Sequence, residues 1–143
     1  EHIQSNLDMI RSELANQDKT RQEPFFCDYR TFKEIYNIQM RNLERFGKSM
    51  SLGVIMLGDI EGNQVPQIND AMVELEEIMR GCLRKGDIVT RFSNVIFAML
   101  LPTVNYQNSS AVMERIEQMF RQKYPDEKMP MYHRISLLGG LPG

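Results

Sequence analysis

Between Ile88 and Leu101 two short apolar runs, Ile88 to Phe92 and Val95 to Leu101, are separated only by Ser93-Asn94. Serine and asparagine tolerate the tight backbone of a hairpin turn, and Pro102, which lacks an N–H for a ladder, closes the second run. A β-hairpin of this kind must bury its apolar residues against other elements, so the flanking segments determine the fold.

Those segments alternate. Ser51 to Leu57 is a short apolar run without helical period, read as a buried strand, and the Gly58, Asp59, Gly62 and Asn63 that follow open a loop over residues 58–68. A helix follows, with Asn69 as its expected N-cap and Gly86 as its stop. It turns Met72, Leu75, Ile78, Met79, Cys82 and Leu83 inward. After the hairpin, Gln107 to Tyr124 reads as a helix burying Val112, Ile116, Met119 and Phe120, and Met131 to Leu138 as a last strand before a glycine-rich end. Upstream, Tyr29 to Phe46 carries Phe32, Ile35, Tyr36, Leu43 and Phe46 on one helical face and meets Gly47. The order strand, helix, strand, strand, helix, strand is the split βαβ arrangement of ferredoxin-like folds. The fold class read here is α/β (α+β): an antiparallel sheet of about four to five strands, with helices packed on one face and a connector helix in front.

That connector is residues 1–24. Ile3, Leu7, Ile10 and Leu14 recur at intervals of four, three and four, and a polar run from Asn16 to Glu23 ends at Pro24. Such a stripe belongs to a helix that pairs with another subunit, or to one that packs on its own domain. Residues 25–143 form the second unit. A chain of 143 residues is long enough for one sizeable core and too short for two ordinary domains. It opens on Glu1 rather than Met, which reads as a piece of a longer protein.

Charge and composition narrow the function. A net charge of -2 provides no basic field for nucleic acid, so direct binding to DNA by this segment is not expected. No apolar run approaches the ~20 residues that span a bilayer, so no membrane association is expected. Cys27 and Cys82 lack the spacing of a zinc site or a disulfide framework and read as buried thiols in a reducing cytoplasm. His133 reads as a structural histidine, Ser93 as a turn residue without a base, and Glu74, Glu76, Glu77 and Arg80 as a solvated helix face with i,i+3 and i,i+4 pairs. Eleven methionines read as an adaptable core.

The string from Leu83 to Pro102, LRKGDIVTRFSNVIFAMLLP, resembles the stretch of GGDEF (diguanylate cyclase-like) domains that runs from a regulatory R-x-x-D into the signature hairpin. Arg84 and Asp87 fall on the R-x-x-D, and Arg91-Phe92 stand where Arg-Tyr usually precedes the signature. Ser93, Asn94, Val95, Ile96 and Phe97 occupy the five signature positions, and only Phe97 matches. The likeness extends loosely from Phe25 to Leu138 and implies a nucleotidyl cyclase-like fold. In the active family the third signature position and an aspartate ending the first core strand hold Mg²⁺. Here Val95 and Ile96 bring no carboxylate, and Leu57 and Gly58 stand at the strand end. Asn69-Asp70 lies too near Arg84 to be the family's guanine-reading pair.

The resemblance therefore implies a domain without catalytic residues, metal or cofactor. Three roles follow from it: a regulatory or dimerisation module, a cyclic di-GMP receptor through Arg84 and Asp87, or a residual nucleotidyl cyclase. An arginine fork and a carboxylate suit the edges of guanine; the plainer reading makes Arg84 a helix-terminal cation and Asp87 the opening of a strand. Phe25 to Tyr36, the Arg-Phe-Ser-Asn turn and Leu101 to Tyr106 are also similar to the C-terminal GGDEF-like segments of bacterial transcriptional activators containing a bacterial transcriptional activator domain. In that setting residues 1–17 connect to an upstream DNA-binding part.

Overall fold

A computed structural model describes residues 2–18, 23–46, 49–102 and 106–139. Gly47, Thr103 to Asn105 and the glycine-rich end beyond residue 139, all named above, lie outside the described residues. The elements are α1 (His2–Asp18), β1 (Phe25–Cys27), α2 (Tyr29–Phe46), β2 (Ser49–Leu57), α3 (Ile68–Cys82), β3 (Ile88–Arg91), β4 (Ile96–Leu101), α4 (Tyr106–Arg121) and β5 (Met131–Gly139).

The strands form one sheet in the order β1-β3-β4-β2-β5. The four strands of the split βαβ core pair antiparallel, as the sequence pattern implied. The sheet is nevertheless mixed, because β1 adds to its edge in parallel with β3. Phe25–Cys27 is only three residues long and carries no alternation a sequence reading can detect. Its pairing is instead anchored by the Phe25 N–H, which donates to the Asp87 carbonyl at 2.9 Å.

Helices cover both faces, not one. Ile55 and Leu57 of β2, Val89 of β3 and Phe97 and Met99 of β4 point to the face where α3 and α4 lie, with Met72, Leu75, Met113, Ile116 and Phe120 completing that core. Leu52, Ala98 and Leu100 point the other way, against Phe32 and Leu43 of α2. Because β2 and β4 are buried on both sides, their sequences read as continuous apolar runs, which is why the run alone could not tell one covered face from two. Each large side chain taken fully out of water contributes about 1.5–3 kcal/mol. Gly53 lets β2 fit this core: a Cβ there would stand 3.1 Å from Met99 Cγ.

The helix ends differ from expectation in instructive ways. α2 is capped by Asp28, whose Oδ1 accepts from the Thr31 N–H at 2.8 Å. α3 starts one residue before Asn69, and its N-cap position is Gln67, in a left-handed conformation (φ 66°) with no side-chain cap bond. The loop geometry brought in by Pro66 and Gln67 overrides the better capping chemistry of Asn69. The same helix ends at Cys82, before Gly86, and the Leu83 N–H donates to the Met79 carbonyl. Met119, expected inward, is 42% exposed, and the Cys82 thiol donates to its sulfur at 3.3 Å. Cys27 is half-buried rather than buried, and burial pushes both thiols above their ordinary pKa.

α1 runs to Asp18, three residues into the polar run that begins at Asn16. Ile3, Leu7, Ile10 and Leu14 are all exposed, between 42% and 79%. The helix thus leaves its apolar stripe uncovered by its own domain.

Candidate functional site

The hairpin turn runs over four residues, Phe92 to Val95, rather than the two read from sequence. Its polar backbone is satisfied internally. The Phe92 and Ser93 N–H groups both donate to the Ile96 carbonyl, at 2.9 and 3.3 Å, and the Val95 N–H donates to Ser93 Oγ at 3.2 Å. Arg91 closes the other side: Nε donates to the Ser93 carbonyl at 3.4 Å and Nη2 to the Asn94 carbonyl at 3.1 Å. No residue of this turn has positive φ. An anion-binding turn presents several free N–H groups to one point, whereas this one keeps a single N–H, that of Asn94, outside these bonds. Arg91 is a residue whose part the sequence reading missed; its partners are backbone carbonyls, which leave no mark in the sequence.

The turn is held against the end of β2, where the Leu57 N–H donates to the Val95 carbonyl at 2.9 Å. The third signature-like position and the end of the first core strand are therefore neighbours. Val95 is half-buried, Leu57 is buried, and neither side chain carries an oxygen. Gly58 continues the strand end with φ 104° and its N–H on the Pro130 carbonyl at 2.9 Å. The next carboxylate, Asp59, is engaged by its own loop: it accepts from the Glu61 N–H at 3.0 Å and from Asn63 Nδ2 at 2.6 Å. Those bonds, the Glu61 one foremost, hold its pKa below the usual value. A divalent cation needs several such oxygens converging, so the side chains present here do not fit one. Among the described residues no group of three or more His, Cys, Asp or Glu side chains is placed to hold a metal.

At the opposite end of β3, Arg84 and Asp87 are brought together by the turn that ends at Gly86 (φ 103°). The Arg84 N–H donates to Asp87 Oδ2 at 2.8 Å, and the Asp87 N–H donates back to the Arg84 carbonyl at 2.9 Å. Burial raises the Asp87 pKa, and the Arg84 N–H and guanidinium act against that rise. Both residues line a cleft of about 240 Å³ together with Leu101, Asn108 and Ser109. Ser109 was not foreseen. Its Oγ donates to Ser51 Oγ at 2.6 Å in a buried pair that ties α4 to β2 across 58 positions, a separation for which sequence has no signal.

Other residues singled out above have structural partners. His133 Nε2 lies 3.2 Å from Glu117 Oε1 on α4. On α3, Arg80 pairs with Glu76 at 2.9 Å, while Glu74 reaches Lys123 beyond the end of α4 at 2.7 Å. Among the described residues no helix is long and apolar enough to cross a membrane.

A family model described as diguanylate cyclase, GGDEF domain, matches residues 48–137, well over half of the chain. The chain belongs to the GGDEF family. Solved GGDEF-containing structures share its fold. A DGC protein from Thermotoga maritima aligns with a TM-score of 0.66 at 14% identity, covering 82% of this chain and 83% of that one. The diguanylate cyclase SiaD of Pseudomonas aeruginosa, solved with its activator SiaC, aligns at 0.65 and 20% identity, covering 95% of this chain and 56% of SiaD. The coiled coil and GGDEF domain of DgcB from Caulobacter crescentus, in complex with c-di-GMP, aligns at 0.64 and 12% identity, covering 95% and 79%. At such identities the likeness establishes the GGDEF fold and leaves the chemistry to the residues of this chain. Comparison with curated protein sequences returns no match.

Proposed function

We propose that this GGDEF domain is catalytically inactive and serves as a regulatory and dimerisation module of a bacterial signalling or transcription-regulating protein. The observation that carries the inactive reading is the Leu57–Val95 junction, where two backbones meet at 2.9 Å without a carboxylate on either side. Cyclase chemistry places metal-bound phosphates at such a junction, and a hairpin whose N–H groups are already bonded adds no electrostatic stabilisation for them.

The dimerisation reading rests on α1. A four-residue apolar stripe left exposed along a 17-residue helix favours pairing with a second copy, since contiguous exposed apolar surface of this kind marks an interaction face. On this reading residues 1–24 are the connector and 25–143 the domain that it joins. The resemblance of Phe25 to Tyr36, the Arg-Phe-Ser-Asn turn and Leu101 to Tyr106 to bacterial transcriptional activators favours a DNA-binding part elsewhere in the parent protein.

A second reading is favoured by the cleft that contains Arg84 and Asp87: a receptor for cyclic di-GMP, of which a cleft of about 240 Å³ would hold one base edge. The Arg84 guanidinium is exposed and can fork onto a guanine, while Asp87 keeps Oδ1 outside its turn bond. Two measurements test the proposal. Sedimentation of this chain across a concentration series should show a dimer, and incubation with GTP and Mg²⁺ or Mn²⁺ should yield no cyclic di-GMP. A strict monomer removes the dimerisation role; turnover removes the inactive reading. Calorimetric titration with cyclic di-GMP, with Arg84→Ala as control, decides the receptor reading.

A further inference from the structure

α2 packs on the face of the sheet opposite α3 and α4. Its first residue meets the hairpin, with the Tyr29 and Phe92 rings edge to face at 5.0 Å, while Leu43 packs near the other end with Met50 and Leu138. Between α2 and the strands lies a groove of about 520 Å³. Its floor is wholly apolar, made by Leu52 and Val54 of β2 and Ile96 and Ala98 of β4. Its walls are aromatic: Tyr29 and Tyr36 from the helix, Phe92 from the turn. Phe92 is 51% and Tyr29 40% exposed, so the groove presents ring surface to water that an occupant would cover.

Two polar side chains interrupt this lining, Lys33 and Asn37, one turn apart on the same wall of α2. Lys33 Nζ stands 5.0 Å from the centre of the Tyr29 ring. Among the described residues it has no carboxylate partner; the adjacent Glu34 pairs with Arg30 at 4.0 Å. A volume within the ~300–1,000 Å³ of small-molecule sites, an apolar lining and a few convergent polar groups are the usual attributes of a ligand pocket. We infer that this groove binds a flat apolar molecule bearing one anionic group, a carboxylate or sulfonate, with its rings between Phe92 and the floor and its charge at Lys33 and Asn37.

The chemistry selects among occupants. A cyclic dinucleotide has two phosphates and polar sugars, which one lysine and an apolar floor match poorly. Two turns of a partner helix, roughly 10 Å across and roughly 11 Å long with side chains, exceed the space. The groove also lies at the opposite end of the β3–β4 pair from Arg84 and Asp87, so it is independent of the receptor reading above.

The test is a fluorescence titration of the 143-residue chain with anilinonaphthalene sulfonate, an apolar anion with a planar naphthalene and one sulfonate. One saturable site is expected, with native circular dichroism retained and with no displacement by excess cyclic di-GMP. Lys33→Met, on an exposed helix position, should weaken binding by about tenfold, the scale of one charged hydrogen bond. Val54→Trp fills the groove from its floor and should abolish binding while thermal unfolding remains cooperative; should that variant not fold, Lys33→Met decides. In a labelled sample the amide shifts should cluster at residues 29–37 and 92–98. Enhancement that does not saturate, binding unchanged in the folded variants, displacement by cyclic di-GMP, or shifts centred elsewhere would overturn the inference.

Discussion

Asp87 and Arg84 close on each other through two hydrogen bonds, Arg84 N–H to Asp87 Oδ2 at 2.8 Å and Asp87 N–H to the Arg84 carbonyl at 2.9 Å. The carboxylate is therefore first a turn-forming group that starts β3, and any ligand role is added to that.

The same geometry sets a pH dependence. Burial raises the folded-state pKa of Asp87 above its ordinary value, so the folded state holds this proton more tightly than the unfolded chain does. Its contribution is most favourable below the unfolded pKa and is lost as pH rises through the folded one. Asp87→Asn keeps an oxygen for the Arg84 N–H and removes the desolvated charge, so at neutral pH it should be at least as stable as the parent. That advantage should shrink in urea melts at acid pH. Asp87→Ala removes the acceptor as well and should cost about 1 kcal/mol.

Rebuilding the signature should not restore catalysis. The triple change Ser93→Gly, Asn94→Gly and Val95→Glu introduces one carboxylate beside Leu57, but the strand end still lacks its partner. Chromatography after incubation with GTP and Mn²⁺ should show no cyclic di-GMP; product at this stage would mean that Asp59 or Glu61 can serve as ligand.

Thr90 is fully buried between Cys27 and Ala98 in the sheet, and its hydroxyl has no hydrogen-bond partner among the described residues. Valine has nearly the same shape without the unsatisfied oxygen. Thr90→Val should raise stability by about 1 kcal/mol, visible as a rise of a few degrees in Tm.

Arg121 organises the segment between α4 and β5. Nη1 donates to the Tyr124 and Met129 carbonyls at 3.1 and 2.7 Å, and Nη2 pairs with Asp126 at 2.9 Å. Arg121→Ala strands two carbonyls and should cost about 2–3 kcal/mol in denaturant melts. Lysine should recover only part of this, because its single ammonium lacks the planar fork.

Leu7→Asp and Ile10→Asp in α1 should abolish self-association by sedimentation and leave the unfolding of the domain unchanged when both are compared as monomers. The uncovered stripe is the reason: these side chains contribute nothing to the domain core.

Periodicity and spacing were enough to locate α2, α3, α4 and the core strands, because burial of one stripe or face imposes a repeat that any reader of the chain can detect. Arg84, Asp87 and the signature-like positions were placed by the resemblance to GGDEF sequences rather than by periodicity, and the hairpin was located in sequence although its turn is two residues longer than read. What depended on the tertiary structure was set by contacts between distant segments. The three-residue β1 exists because Asp87 and β3 offer it an edge, and α2 covers the second face because Leu52, Ala98 and Leu100 point there. Asn69 fails to cap α3 because the loop enters through Gln67. The Leu57–Val95 junction, the Ser51–Ser109 pair and the groove under α2 likewise join residues many positions apart. A linear pattern records which side chains seek burial; only the folded chain decides which of them meet.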